Sequence, residues 1–250
     1  MAGQWLGSRL TDADLEFIAR AGAPHRPDPE KVVRLLRENP DFADPLLEKE
    51  EVFQAVMGQR ERLLHLSPFL LFYILLLRVR EDLRRHPHTF DLTDRDPLPL
   101  FDGAAVAKLL NDEPTRVYLA EMLASFVRGR QFTIFQEKDG RVTARVLNDM
   151  RVDHLIELIQ AVPQENRYPL YRRLGDLCLL LTSFFAGTTS PPGQIPLTSV
   201  GQESYRQAAK MAAARHTGYE YVLSGLADKF ELARKPLHLV RHHYLAGVYQ

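Results

Sequence analysis

The chain has 250 residues, 45% of them hydrophobic, which is ample for a buried core. Its 32 Lys and Arg residues balance its 32 Asp and Glu residues, so overall charge draws it to neither nucleic acid nor anionic lipid, and any such partner must be recognised by a local patch. The single cysteine, Cys178, excludes an intrachain disulfide and a cysteine-based zinc site and points to a reducing compartment, the cytoplasm.

The opening residues around Trp5 lack a basic stretch followed by an apolar one, so no export signal is expected. Asp28-Pro29, Asp44-Pro45 and Ser67-Pro68 each pair a capping side chain with a proline that suits the first helical position. The first predicted helix carries Val32, Val33, Leu35 and Leu36. The second carries Leu46, Leu47, Phe53, Val56 and Met57, and the third runs from Phe69 until His86-Pro87 stops it. Phe69 to Leu77 is continuously apolar. A membrane span needs about 20 such residues, so this stretch reads as a core helix and no membrane partner is expected.

Thr89 to Phe101, with Pro97 and Pro99, reads as an extended connection. A short helix through Val106, Leu109 and Leu110 should follow, then one opened by Glu113-Pro114 with Val117, Met122, Leu123 and Phe126 to one side. The period then changes. β-branched and aromatic residues flank Asp139-Gly140, a dipeptide that tolerates positive φ at both positions, and predict a hairpin near residues 132–146.

Helices should resume at Asn148 or Asp149, with Val152, Leu155, Ile156 and Ile159 as the apolar stripe, and again from Pro169 to Phe185. Residues 187–196, GTTSPPGQIP, hold three prolines and two glycines and predict a loop or lid. Ser199 and Gln202 have the spacing of a capping box, and two last helices are expected after Gly218 and Pro236. With no internal repeat, the pattern predicts an all-α, bundle-like single domain over residues 1–250 with one small hairpin, and a possible division into subregions 1–87 and 102–250.

For chemistry, the chain has no G-x-G spacing, no phosphate-binding loop, no H-E-x-x-H and no G-x-S-x-G. His238 and His242 stand four apart on a predicted helix, as paired metal ligands do, but a catalytic zinc needs a third ligand and no Asp or Glu is suitably spaced. His86 and His88 straddle Pro87 and are weaker still. Asp176 sits in the apolar run LGDLCLLL. It is either a catalytic carboxyl, working with Tyr205 or a histidine, or a structural partner of Arg172 or Arg173, and Tyr205, Tyr219 and Tyr221 can be imagined around it. Cys178 on the same apolar run reads as an inert thiol. Residues 102–145 have the order of a winged helix, with Arg130, Lys138, Arg141 and Arg145 able to meet phosphates, although the would-be recognition helix is largely apolar.

Three stretches, Tyr118 to Val127, Leu174 to Phe185 and Gly201 to Tyr205, together resemble a group of uncharacterised bacterial helical proteins. The resemblance covers roughly Tyr118 to Phe230 and implies a bacterial helical fold without a known activity; Leu197 and Thr198 stand where that group leads one to expect tyrosines. The expectation is therefore a non-catalytic interaction or regulatory protein of a bacterial cytoplasm, without cofactor, whose partner is another protein. An enzyme built on Asp176 and a DNA-binding wing are the alternatives.

Overall fold

A computed structural model describes residues 4–58, 66–85, 103–138, 141–185 and 195–246. Among them the protein is helical apart from one antiparallel pair of strands, as the periodicity predicts. The helices are α1 (Gln4–Gly7), α2 (Asp12–Gly22), α3 (Pro29–Glu38), α4 (Ala43–Leu47), α5 (Glu50–Met57), α6 (Pro68–Arg85), α7 (Gly103–Asn111) and α8 (Glu113–Ser125). Strands β1 (Gln131–Lys138) and β2 (Arg141–Asn148) follow, then α9 (Val152–Ala161), α10 (Tyr168–Phe184), α11 (Leu197–Ala214), α12 (Glu220–Asp228) and α13 (Phe230–Leu239). The chain groups into two compact units, residues 1–124 with 238–250, and residues 125–237. Thr89 to Phe101, read as the connection, His86 and His88, the hairpin turn Asp139-Gly140 and residues 187–194 of the predicted loop lie outside the described residues.

In the first unit α6 is the central core helix. Ser67 Oγ accepts the Leu70 N–H at 3.1 Å, so the Ser67-Pro68 signal starts the helix as read. Leu70, Tyr73, Ile74, Leu75, Leu76 and Leu77 are all buried, and no helix of the described residues is long and apolar enough to cross a membrane. The polar residues of α6 meet ionic partners. Arg80 pairs with Glu48, and the Tyr73 hydroxyl donates to Asp44, which also binds the buried Arg116. Arg116 further donates to the Leu110 carbonyl at 2.6 Å and to the Tyr73 oxygen at 3.0 Å. Burial drives the Tyr73 hydroxyl far above its ordinary pKa, so it stays a donor.

Several boundaries differ from those read in the sequence. Asp44 is not a cap: the predicted second helix is two, α4 and α5, and Asp44 lies inside α4 with its carboxylate turned to Arg116 and Tyr73. A cap serves one turn, whereas this carboxylate neutralises a buried guanidinium, and an unpaired buried charge is far costlier than an open helix end. Ser199 and Gln202 form no capping box. The helix begins earlier, with Pro196 as its first flanking residue and the Val200 N–H bonded to the Pro196 carbonyl, so Ser199 is already helical. Pro236 does not open a helix but lies inside α13. The chain after it widens into a π-type turn over Val240–Leu245, closed by Ala246 N–H to Arg241 O at 2.9 Å.

The second unit is built on close contact of α10 and α11. A Cβ added at Gly175 would lie 2.7 Å from the Tyr205 ring, and one at Gly201 would lie 2.6 Å from the Phe230 ring and 2.9 Å from the Cys178 Cβ. Only glycine lets these surfaces approach so closely. Cys178, Leu179, Tyr205, Leu223, Leu226 and Phe230 form the surrounding core.

The ribbon pairs from Gln131↔Asn148 to Lys138↔Arg141, a register that leaves two residues for the turn, as the Asp139-Gly140 signal predicts. It extends beyond residues 132–146 at both ends. Asn148 is still in the strand, and the following helix starts only at Val152, not at Asn148 or Asp149.

Candidate functional site

The ribbon is the feature that departs most from its helical surroundings, and its foot is held by a compact polar knot. At that foot Asp149 is 2% exposed. Its carboxylate accepts the Arg130 N–H at 2.8 Å and pairs with the Arg173 guanidinium at 2.9 Å, while the Asp149 N–H returns to the Arg130 carbonyl at 3.1 Å. Arg173 also donates to Ser125 Oγ at 2.7 Å and lies 3.6 Å above the Phe126 ring. Burial pulls the Arg173 pKa below its ordinary value and the Asp149 charge pulls it back. The Asn148 N–H donates to His154 Nδ1 at 3.0 Å, tying β2 to α9.

Two-stranded ribbons are marginal in water by themselves, so such an anchor determines whether the ribbon stands. Helix α9 packs on the ribbon, against β2, and on β1 the first residues, Gln131, Phe132 and Thr133, are exposed. Val127, Phe132, Val146, Met150 and Ile156 are large apolar side chains left in solvent on this stretch of chain. Ile156, read as part of a core stripe, is among them; Leu155 and Ile159 are buried as expected.

Successive strand residues alternate faces, so the register sorts the ribbon's charges. Phe132, Ile134, Gln136 and Lys138 share a face with Arg141, Thr143, Arg145 and Leu147; Glu137 falls on the opposite face, paired with Val142. Arg130 is exposed at the start of the ribbon. The side chains of residues 134–138, 141–143 and 145 lie outside the described residues. The helix read as a recognition helix, α8, buries Thr115, Arg116, Val117, Tyr118, Leu119, Ala120, Met122 and Leu123. That leaves it no polar outer face to lay in a groove.

Asp176 and Tyr205 are brought together. The Tyr205 hydroxyl donates to Asp176 Oδ1 at 2.9 Å, and Arg172 stands 4.0 Å from Oδ2. Both partners are buried, Tyr205 completely, and the Gly175 contact fills the space beside the ring. The arrangement satisfies a buried carboxylate between α10 and α11. Arg173, the other arginine considered for Asp176, goes to Asp149 instead. Tyr219 joins through Arg172, whose guanidinium lies 4.8 Å above its ring, whereas Tyr221 is 67% exposed and stays out.

His238 and His242 stack with ring centroids 4.1 Å apart. Among the described residues no three His, Cys, Asp or Glu side chains converge as a metal site requires. Burial, with Arg241 and His243 adding repulsion, holds His242 below its ordinary pKa; burial does the same to His243. Burial pushes the Cys178 thiol up to about 12, as its place in an apolar run implied.

Sequence reasoning missed Asp149 and its pairing with Arg173. The available signal was an acid within a few residues of the end of the predicted hairpin, read instead as a helix start. Compared with protein-family models, with curated proteins and with solved structures, the chain matches none of them.

Proposed function

We propose that this protein is a non-catalytic interaction protein that docks its partner through the ribbon Gln131–Asn148. The observation that carries the reading is a long ribbon in a helical chain, anchored by the buried Asp149–Arg173 pair and bordered by exposed Val127, Phe132, Val146 and Met150. A buried ion pair fixes the foot of the ribbon in place, and exposed apolar side chains grouped along one stretch of chain favour contact with another surface. The place of action is the cytoplasm of a bacterium. The lone cysteine, with which no intrachain disulfide can form, supports a reducing compartment, and the resemblance of residues 118–230 to bacterial helical proteins supports the source.

The test is a pull-down from native lysate with the tagged chain, in parallel with a variant in which residues 133–146 are replaced by a two-glycine turn. Far-UV circular dichroism first establishes that the shortened chain keeps its helices. Loss of a stoichiometric partner from the shortened chain supports the reading. A partner that binds both chains equally sinks it.

A further inference from the structure

We infer that the protein partner contributes an extended strand, apolar on alternate residues and acidic at its C-terminal end, which pairs antiparallel along the free edge of β1; this rests on the ribbon being the docking element.

The main chain defines the edge. In an antiparallel pair, successive residues alternately turn their N–H and C=O groups toward the partner strand and away from it. The Asp149 N–H bonds the Arg130 carbonyl at 3.1 Å, and these two residues continue by one step the register that starts at Gln131↔Asn148. Arg130 therefore faces β2, and Gln131 and Thr133 turn their N–H and C=O groups to the outer side of β1. Gln131, Phe132 and Thr133 are exposed, and among the described residues the sheet holds only two strands, so no third strand pairs with that side. Edges are ordinarily blunted by proline, charge, a bulge or shortness. The run QFTIFQ, residues 131–136, contains no proline and no charge, and the register runs unbroken over the whole strand Gln131–Lys138. An edge of that kind is a template for another strand.

Charge and exposure then describe the strand that fits. Arg128 and Arg130 are exposed at the start of β1 and belong to no ion pair among the described residues. The acid at the foot, Asp149, does not offset them, because its carboxylate is taken up by Arg173 and the Arg130 N–H. A strand antiparallel to β1 brings its C-terminal end beside these two arginines, so acids belong there. Two residues before the acid opposite Arg130, the added strand lies opposite Phe132, which is 37% exposed on the face it shares with the buried Leu147, and an apolar side chain at that point extends the cover. The pattern read from N to C is apolar, any, acidic, any, acidic. A second copy of β1 fits worse. Outward residues must pair with outward residues, so the most overlapped register sets Gln131 opposite Glu137 and, one step on, Arg130 opposite Lys138, like charge against like.

The probe is the synthetic peptide Thr-Val-Thr-Val-Thr-Asp-Thr-Glu, acetylated or carrying fluorescein at its N-terminus and amidated at its C-terminus. The full chain is titrated into it and anisotropy is read at about 50 mM KCl, where surface charge is weakly screened. With the peptide Asp opposite Arg130, its second and third threonines lie opposite Thr133 and Gln131 and exchange main-chain bonds with them. N-methylation of those two threonines removes two donors and weakens binding about 10- to 30-fold. N-methylation of the two valines, whose N–H groups point away from β1, changes it by less than about twofold. Replacing the peptide's Asp and Glu by Lys weakens binding to the parent chain, and Arg128→Gln/Arg130→Gln abolishes that preference.

Three results overturn the inference: no saturable binding of the peptide, equal loss from the two N-methylated forms, or an acid preference that survives the arginine variant. A dimer seen by sedimentation and dissolved by Thr133→Pro overturns it as well, since a second copy then holds the edge. A lysate protein that needs the ribbon, found together with one of the first three results, refutes strand addition and leaves the docking reading in force. A partner indifferent to the ribbon removes both.

Discussion

Asp149→Asn isolates the charge that holds the ribbon's foot. The asparagine oxygen can still accept the Arg130 N–H now bonded at 2.8 Å, so that bond survives. The amide nitrogen, however, faces the Arg173 guanidinium that now lies 2.9 Å from a carboxylate oxygen, which sets donor against donor. Breaking a buried ion pair by removing one partner costs about 3 to 5 kcal/mol. Arg173 keeps its bond to Ser125 Oγ and its seat over Phe126, so the lower end, about 3 kcal/mol, is expected. Arg173→Met keeps the apolar stem and loses the charge, and the double variant should recover part of the sum, with a coupling of about 2 kcal/mol. Urea unfolding followed by circular dichroism measures all three variants, and amide exchange in β1 and β2 reports whether the ribbon opens before the helices. A coupling below about 0.5 kcal/mol would mean that the foot is held by the backbone bonds and the His154 contact, and that the ion pair is incidental.

Further expectations concern the rest of the molecule. Gly201→Ala forces a methyl to 2.6 Å from the Phe230 ring and should destabilise the chain by about 1 to 3 kcal/mol, read as a lowered melting temperature; an unchanged value would show that α11 can shift freely. Cys178, buried with its pKa pushed up to about 12, should resist alkylation by iodoacetamide in the native chain and react quickly in urea. Fast native labelling, followed by mass spectrometry, would contradict the packing. Burial holds His242 and His243 below 6.5 in the folded chain, so the unfolded chain takes up protons first as pH falls. Their contribution is therefore fully present above the ordinary histidine pKa and is lost as pH falls through it toward the lowered folded values. Urea midpoints at a series of pH values should show that loss, and His242→Gln/His243→Gln should flatten it.

Local signals were legible. Pro29 and Pro68 begin helices where their sequence context says, and the two strands pair antiparallel on either side of Asp139-Gly140. Errors arose where a local pattern competed with a distant partner. Asp44 has the look of a cap but answers Arg116, seventy-two positions away. Arg173 stands three residues before Asp176 yet serves Asp149, and the spacing offers no means of choosing between them. Thr11 and Asp14 form a capping box, and the buried Asp14 also accepts the Ser67 N–H at 3.0 Å. The candidate site was legible as a list of basic residues around a turn. What holds the foot of the ribbon, the buried pairing of Asp149 with Arg173, is a long-range ion pair that a residue list does not contain.

The first unit is discontinuous in the chain, and this governs how the protein can be made. The Tyr244 hydroxyl donates to Asp82, 162 positions earlier, and the Tyr244 ring meets Phe53 edge-on at 5.5 Å. Those partners leave the ribosome long before Tyr244 does. At roughly 5 to 20 residues per second the gap is about 8 to 32 s, during which α5 and α6 hold an uncovered surface while the continuous stretch 125–237 is made. Until His238 to Tyr244 emerge, Phe53 and Asp82 lack the partner that covers them in the finished fold, and that helical surface is where a chaperone would find its substrate.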